Sequence, residues 1–171
     1  MKRILCLFLA SVLLLCSLGC SKEQVPITLS FFYPRQNYGY DASEGRFYDQ
    51  SAQEELREDI IYHSARQVIG IYLEGPLDPA LINPFPDETA LLMLNLEGNT
   101  LNLTLTDQFA QLTGIQLIMA CSCLAKTAMT ITKATQVCIR CETALLDGMK
   151  TVTIGEETVF FDDPITQIDA Q

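Results

Sequence analysis

Seven cysteines are the residues of this 171-residue chain most able to do chemistry, and their spacing sorts them into distinct settings. Cys121-Ser122-Cys123 and Cys138-Ile139-Arg140-Cys141 lie in the body of the chain, and three more lie in its first twenty residues. A C-x-x-C pair runs thiol–disulfide exchange when its first cysteine sits at a helix N-terminus, where the dipole lowers the thiol pKa. Cys138 and Cys141 instead fall in a β-pattern that puts them on opposite faces. Zinc would want more such pairs or several histidines, and His63 is the single histidine. It reads as an ordinary helix-surface residue. Cys121 and Cys141 both point to the predicted core. They are either buried thiols, which behave as small apolar residues, or one helix-to-strand disulfide, with Cys123 and Cys138 as their neighbours. Glu156-Glu157 and Asp162-Asp163 read as solvated turns, the other carboxylates are scattered, and no Gly-rich phosphate loop is present. The expectation is a non-enzyme with no cofactor and no metal.

Cys20 has a different chemistry in view. Lys2 and Arg3 form a positive start, Ile4 to Cys16 is an almost unbroken apolar run, and Ser17-Leu18-Gly19-Cys20 closes it. A charged n-region, an apolar stretch of about 7–15 residues and a small residue before the cut make a secretory signal. With Gly19 at −1 and cysteine after it, the stretch resembles a bacterial lipoprotein signal, in which Cys20 becomes the acylated first residue. Ser17 stands at −3, where such signals usually carry Leu, and bulky Leu15 before Cys16 excludes that cysteine. The alternatives are a plain secretory signal or an uncleaved anchor, although the run is shorter than the roughly 20 residues a spanning helix needs. The organisation expected is a signal over 1–19, a lipidated tether over 20–25, one domain over 26–163 and a loosely ordered tail over 164–171.

Charge narrows the partners. The chain carries 21 acidic and 11 basic residues. Removing Lys2 and Arg3 with the signal leaves nine basic against 21 acidic side chains, a balance of −12. Such a body has no footprint for nucleic acid and is repelled by anionic headgroups. Membrane contact is expected through the acyl anchor on Cys20, with the protein on the extracytoplasmic face.

These residues need elements to hold them. Pro26 to Tyr33 reads as a strand, and Arg46 to Tyr48 as a short one. Ser51 to Asp59 is charged, and a helix is expected from there through Leu73, with Ile60, Ile61, Ala65, Val68, Ile69 and Tyr72 on one broad face. Glu74-Gly75-Pro76 ends it. Leu77 to Asp87 is a proline-stiffened connection. Ala90 to Leu96 and Leu101 to Leu105 make a hairpin in which Leu101, Leu103 and Leu105 alternate with polar residues. A second helix over about Thr113 to Thr130 carries Leu117, Cys121, Leu124, Ala125 and Ala128 as its packing stripe. Thr135 to Glu142 is a strand with Val137, Ile139 and Cys141 on one face. Thr151 to Ile154 and Thr158 to Phe161 suggest a closing hairpin.

The order of strand, helix ending at Tyr72 to Pro76, prolines, hairpin, helix and strand resembles the GerMN domain of sporulation and spore-germination lipoproteins. Ala90 to Phe109 fits the family's hairpin and following turn, and Thr127, Val137 and Asp147-Gly148 fit its later features. Ala134 stands where the first of two valines falls. The resemblance implies an α/β (α+β) fold, a single compact domain with a small mixed sheet and two helices packed on one face, similar to ring-building-motif domains. It implies a lipid-anchored interaction or assembly module of the cell envelope, in a sporulation, germination or other complex. Its partners would be other envelope proteins, ring-forming or channel components among them, or further copies of itself. The alternative is an exported binding protein for a small ligand or cell-wall fragment. A thiol-based enzyme on the outer face of the membrane is the third reading.

Overall fold

The computed structural model describes residues 28–35, 39–41, 46–48, 52–60 and 64–156. In chain order these form β1 (Leu29–Pro34), β2 (Gly39–Asp41), β3 (Arg46–Tyr48), β4 (Ala52–Arg57), α1 (Ala65–Leu73), β5 (Leu91–Glu97) and β6 (Thr100–Leu105). A 3-10 turn (Asp107–Gln111), α2 (Gly114–Thr132), β7 (Gln136–Cys141) and β8 (Val152–Gly155) follow. The signal-like stretch with Gly19 and Cys20, Ile61 to His63, Thr158 to Phe161 and the tail lie outside the described residues.

The leucine alternation of β6 makes it an interior strand. Leu101, Leu103 and Leu105 are fully buried, and β6 pairs antiparallel with β5 on one side and parallel with β7 on the other. The sheet order is β5-β6-β7-β8, with β8 antiparallel to β7. A parallel neighbour requires a long crossover, and the 3-10 turn and α2 supply it. Val137, Ile139, Cys141 and Ile154 continue the buried face that Leu101 begins. The result is the mixed α+β arrangement expected, a small mixed sheet with helices gathered on its apolar face.

α2 is the central element. By length and composition Gly114–Thr132 could cross a membrane, with a mean hydropathy of 1.4, but its residues are used as core. Leu117, Ala120, Cys121, Leu124, Ala125 and Ala128 are all buried, as the small-and-apolar stripe predicts. The helix packs on β7 and β8, and also on β1 and α1. It ends at Lys133, a left-handed C-cap with φ 61° whose N–H bonds Met129 O at 2.8 Å.

One expectation is corrected. The helix expected after Asp59 begins later, and the charged stretch before it, to which the sequence assigned no element, is a strand, β4, paired antiparallel with β1 from Leu29↔Arg57 to Pro34↔Ala52. The helix starts only at Ala65, where the Ser64 hydroxyl caps the Gln67 N–H, and Ile60 is buried outside it. The reason is partnership. β1 turns Leu29, Phe31 and Tyr33 into the core and needs a neighbour, while β4 faces inward with Glu55 and Arg57. Arg57 is buried because Asp59 grips it through two 2.7 Å bonds and the Phe31 ring lies beneath its guanidinium at 5.6 Å. Such a strand reads only as a charged stretch in the sequence. β2 and β3 pair with each other, so the short strand at Arg46 is present.

Candidate functional site

A buried polar constellation sits where β1 meets both helices. Phe32 presents its N–H and C=O to the side of β1 away from β4. Its N–H donates to Thr127 Oγ1 of α2 at 2.9 Å, and its carbonyl accepts from the Tyr72 hydroxyl of α1 at 2.7 Å. Tyr33 returns the gesture, donating its hydroxyl to the Tyr72 carbonyl at 2.7 Å. Both phenols are fully buried, and burial pushes their pKa values well up. The rings pack with centroids 4.8 Å apart, with Phe31 edge-on to each. Neutral, ring-packed phenols that close backbone bonds are a locking device and supply no acid or base near pH 7. Lys126 lies over the exposed side of this junction, its ammonium 4.6 Å from the Phe32 ring centroid.

The thiols do not assemble into a reactive group. All four in the described region are free. Cys121 and Cys141 face one another electrostatically across the α2–β7 contact, and burial pushes Cys121 up to about 12 and Cys141 to about 11. Cys123 points to the opposite side of α2, towards Tyr33 and Tyr72, and burial raises it further. The C-x-C pair is thus split between two walls of the core. Cys138 is half-buried on the other face of β7 from Cys141. A nucleophilic thiol needs a lowered pKa, and burial moves these three the wrong way. Among the described residues, no group of three or more His, Cys, Asp or Glu could hold a metal ion. Gly19, Cys20 and His63 lie outside the described residues.

A cleft with a volume of about 520 Å³ lies between α1 and the proline linker. Arg66, Gly70, Asn83, Asp87 and Glu88 are among its walls. Its floor is bare because Gly70 sits mid-helix, where an added Cβ would meet nothing within 4 Å. Glu88 takes a left-handed φ of 65° at the rim, and the adjacent Thr89 hydroxyl is buried without a hydrogen-bond partner. Arg66 reaches from α1 to the carbonyls of Leu91 and Leu92, at 3.3 and 2.9 Å. Neither Arg66 nor the β1–helix lock stands out in the sequence. A tyrosine pair 39 positions apart carries no local spacing signal.

At the far end of β7, Asp107 fastens the loop that follows. Its carboxylate accepts from the Thr143 hydroxyl and N–H and from the Ala144 N–H, which holds its pKa below the usual carboxylate range. Asp147 and Gly148, both at positive φ, form a tight turn between Leu146 and Met149, and Asp147 accepts from the Gly114 N–H at the start of α2. Asp147-Gly148 is one of the features on which the family resemblance rested, and here it ties the loop to the helix.

No family model matches this chain, and no curated protein matches it. Solved structures do. The tandem GerMN domains of the sporulation protein GerM from Bacillus subtilis superpose with a TM-score of 0.50 at 16% identity, covering 68% of this chain and 39% of that one. The first GerMN domain of the same protein gives a TM-score of 0.47 at 12% identity, covering 68% of this chain and 84% of that one. A candidate lipoprotein from Clostridium perfringens gives 0.44 at 16% identity, covering 77% and 88%. This chain therefore spans well under half of the tandem structure. The superposition on the tandem domains shows that the chain has a fold like that of the GerMN domain.

Proposed function

We propose that this protein is a lipid-anchored assembly module of the cell envelope, GerM-like and non-catalytic, held at the extracytoplasmic face through Cys20. One combination carries the reading. A lipoprotein-like signal with Gly19-Cys20 at its end precedes a domain whose fold is like that of GerMN domains. Burial raises the pKa values of Cys121, Cys123 and Cys141, which counts against a thiol-based activity at those three residues. The acidic body supports protein partners over nucleic acid. The complex it joins would be a sporulation, germination or other envelope assembly.

A second reading, an exported binding protein for a small ligand or cell-wall fragment, rests on the cleft between α1 and the linker with its bare Gly70 floor. One experiment separates the two. The tagged chain is cross-linked in the envelope of its host, and what co-purifies is identified. Recovery of channel, secretion or cell-wall machinery is expected. Recovery of no protein partner across growth states, sporulation included, would sink assembly and leave the cleft as the better account. Loss of membrane association in a Cys20→Ala chain tests the anchor separately.

A further inference from the structure

β5 ends the sheet, and its outer side carries no strand among the described residues. The two-residue turn Gly98-Asn99 joins Glu97 to Thr100, and the pair flanking such a turn exchanges both ladder bonds. The alternation then turns Asn95 inward to β6 and leaves the N–H and C=O of Leu94 and Leu96 facing outward. Their side chains lie on the core face, opposite the fully buried Leu103 and Leu101, yet Leu96 is 48% exposed. The core face stops abruptly here, for want of a next strand. An open apolar edge of this kind is a template for another strand.

The two ends of this edge carry opposite charges. At its start, Arg66 caps the carbonyls of Leu91 and Leu92, where a bulge interrupts the register. At its finish stands Glu97. An antiparallel copy of the same edge places each Glu97 beside the other's Arg66 end, whereas a parallel copy sets like against like. We propose that β5 is a homophilic docking edge, to which a second copy of this chain adds its own β5 antiparallel. Leu94 pairs with Leu96 of the other copy, and the two Asn95 residues meet on the axis. This register makes four main-chain bonds, the most that two outward-facing residues per copy allow. It also joins Leu94 and Leu96 of both copies into one apolar cluster continuous with the core. The bulge and Arg66 stop the pairing from running further, so the contact closes as a pair and does not propagate. It goes beyond the assembly reading, which requires partners but not a second copy.

Oxidative cross-linking of the full chain in membranes tests the register. Asn95→Cys puts two thiols across a non-hydrogen-bonded pair, about 4.5 Å between Cα atoms, inside the range a disulfide spans. Met93→Cys alone separates its thiols by four residue steps, about 13 Å. The expected result is a dimer band for N95C, none for M93C alone, and a mixed dimer when M93C chains meet Glu97→Cys chains. Leu96→Pro, which removes an outward N–H at an edge where proline is tolerated, should abolish the N95C band. Wild type and Met149→Cys set the background. A monomeric N95C chain, or one that cross-links no better than M149C, overturns the proposal. If envelope partners still co-purify in that case, the assembly reading stands without the dimer.

Discussion

β1 and β5 are both terminal strands, six and seven residues long, and each has one side with no strand against it among the described residues. Their free sides are treated in opposite ways. At β1, Thr127 and Tyr72 take the N–H and C=O of Phe32, so the helices close the edge with side chains. At β5, Arg66 caps the first two carbonyls, and among the described residues no strand lies against the outward-facing Leu94 and Leu96. The difference teaches what each strand is for. An edge whose polar groups are met from within belongs to the core, and one left unmet beside half-exposed leucines is a contact surface.

The largest way to break this contrast is at the closed edge. Tyr72→Ala removes a fully buried ring and the hydroxyl that holds Phe32 O, and should cost about 3–5 kcal/mol of stability in chemical denaturation. Thr127→Val leaves the Phe32 N–H without its partner while keeping the shape of the side chain. About 1–3 kcal/mol is expected, and a wild-type unfolding midpoint would show that the edge is not closed as described. At the open edge the same logic predicts the reverse. Leu96→Lys should change monomer stability by no more than about 0.5 kcal/mol while weakening self-association; a large loss of stability would mean that β5 is covered.

The thiols give the smallest and most pH-specific test. Cys138 should react with an aromatic disulfide reagent in the native protein, whereas Cys121 and Cys123 should react only on unfolding. Their folded pKa values lie above the ordinary 9.0, with Cys121 at about 12. The neutral form is therefore favoured by folding. That contribution is fully present below pH 9 and is lost as pH rises from about 9 towards 12. Thermal unfolding should show no thiol-dependent change between pH 6 and 8 and a decline above 9, reduced in Cys121→Ala after allowing for its lost packing. Native reactivity of Cys121 at neutral pH would revive a thiol-based activity.

How much of this was legible in the sequence follows from the range of the interactions. Leu101, Leu103 and Leu105 announce their strand because a period of two is written locally, and the stripe Leu117-Cys121-Leu124-Ala125-Ala128 announces its helix in the same way. The order of these elements was enough to suggest the GerMN-like fold. β4 was not legible because its inward positions are Glu55 and Arg57, whose burial depends on Asp59, the Phe31 ring and the N–H groups of Leu77 and Asp78. The Tyr33–Tyr72 lock and the Arg66 cap were invisible for a related reason. Each joins a side chain to a backbone group tens of residues away, and no spacing records that. The cysteines show both limits. Their faces on α2 and β7 could be read, but their inertness rests on desolvation by the whole core.

The claim that one edge is closed and the other open is tested most directly by residue-resolved hydrogen exchange on the full chain, first held as single copies and then crowded. The account predicts a strongly protected Phe32 amide in both states. The Leu94 and Leu96 amides should exchange fast in single copies and slow when crowded. Protection of Leu94 and Leu96 in single copies would contradict it, because the chain would then cover its own β5.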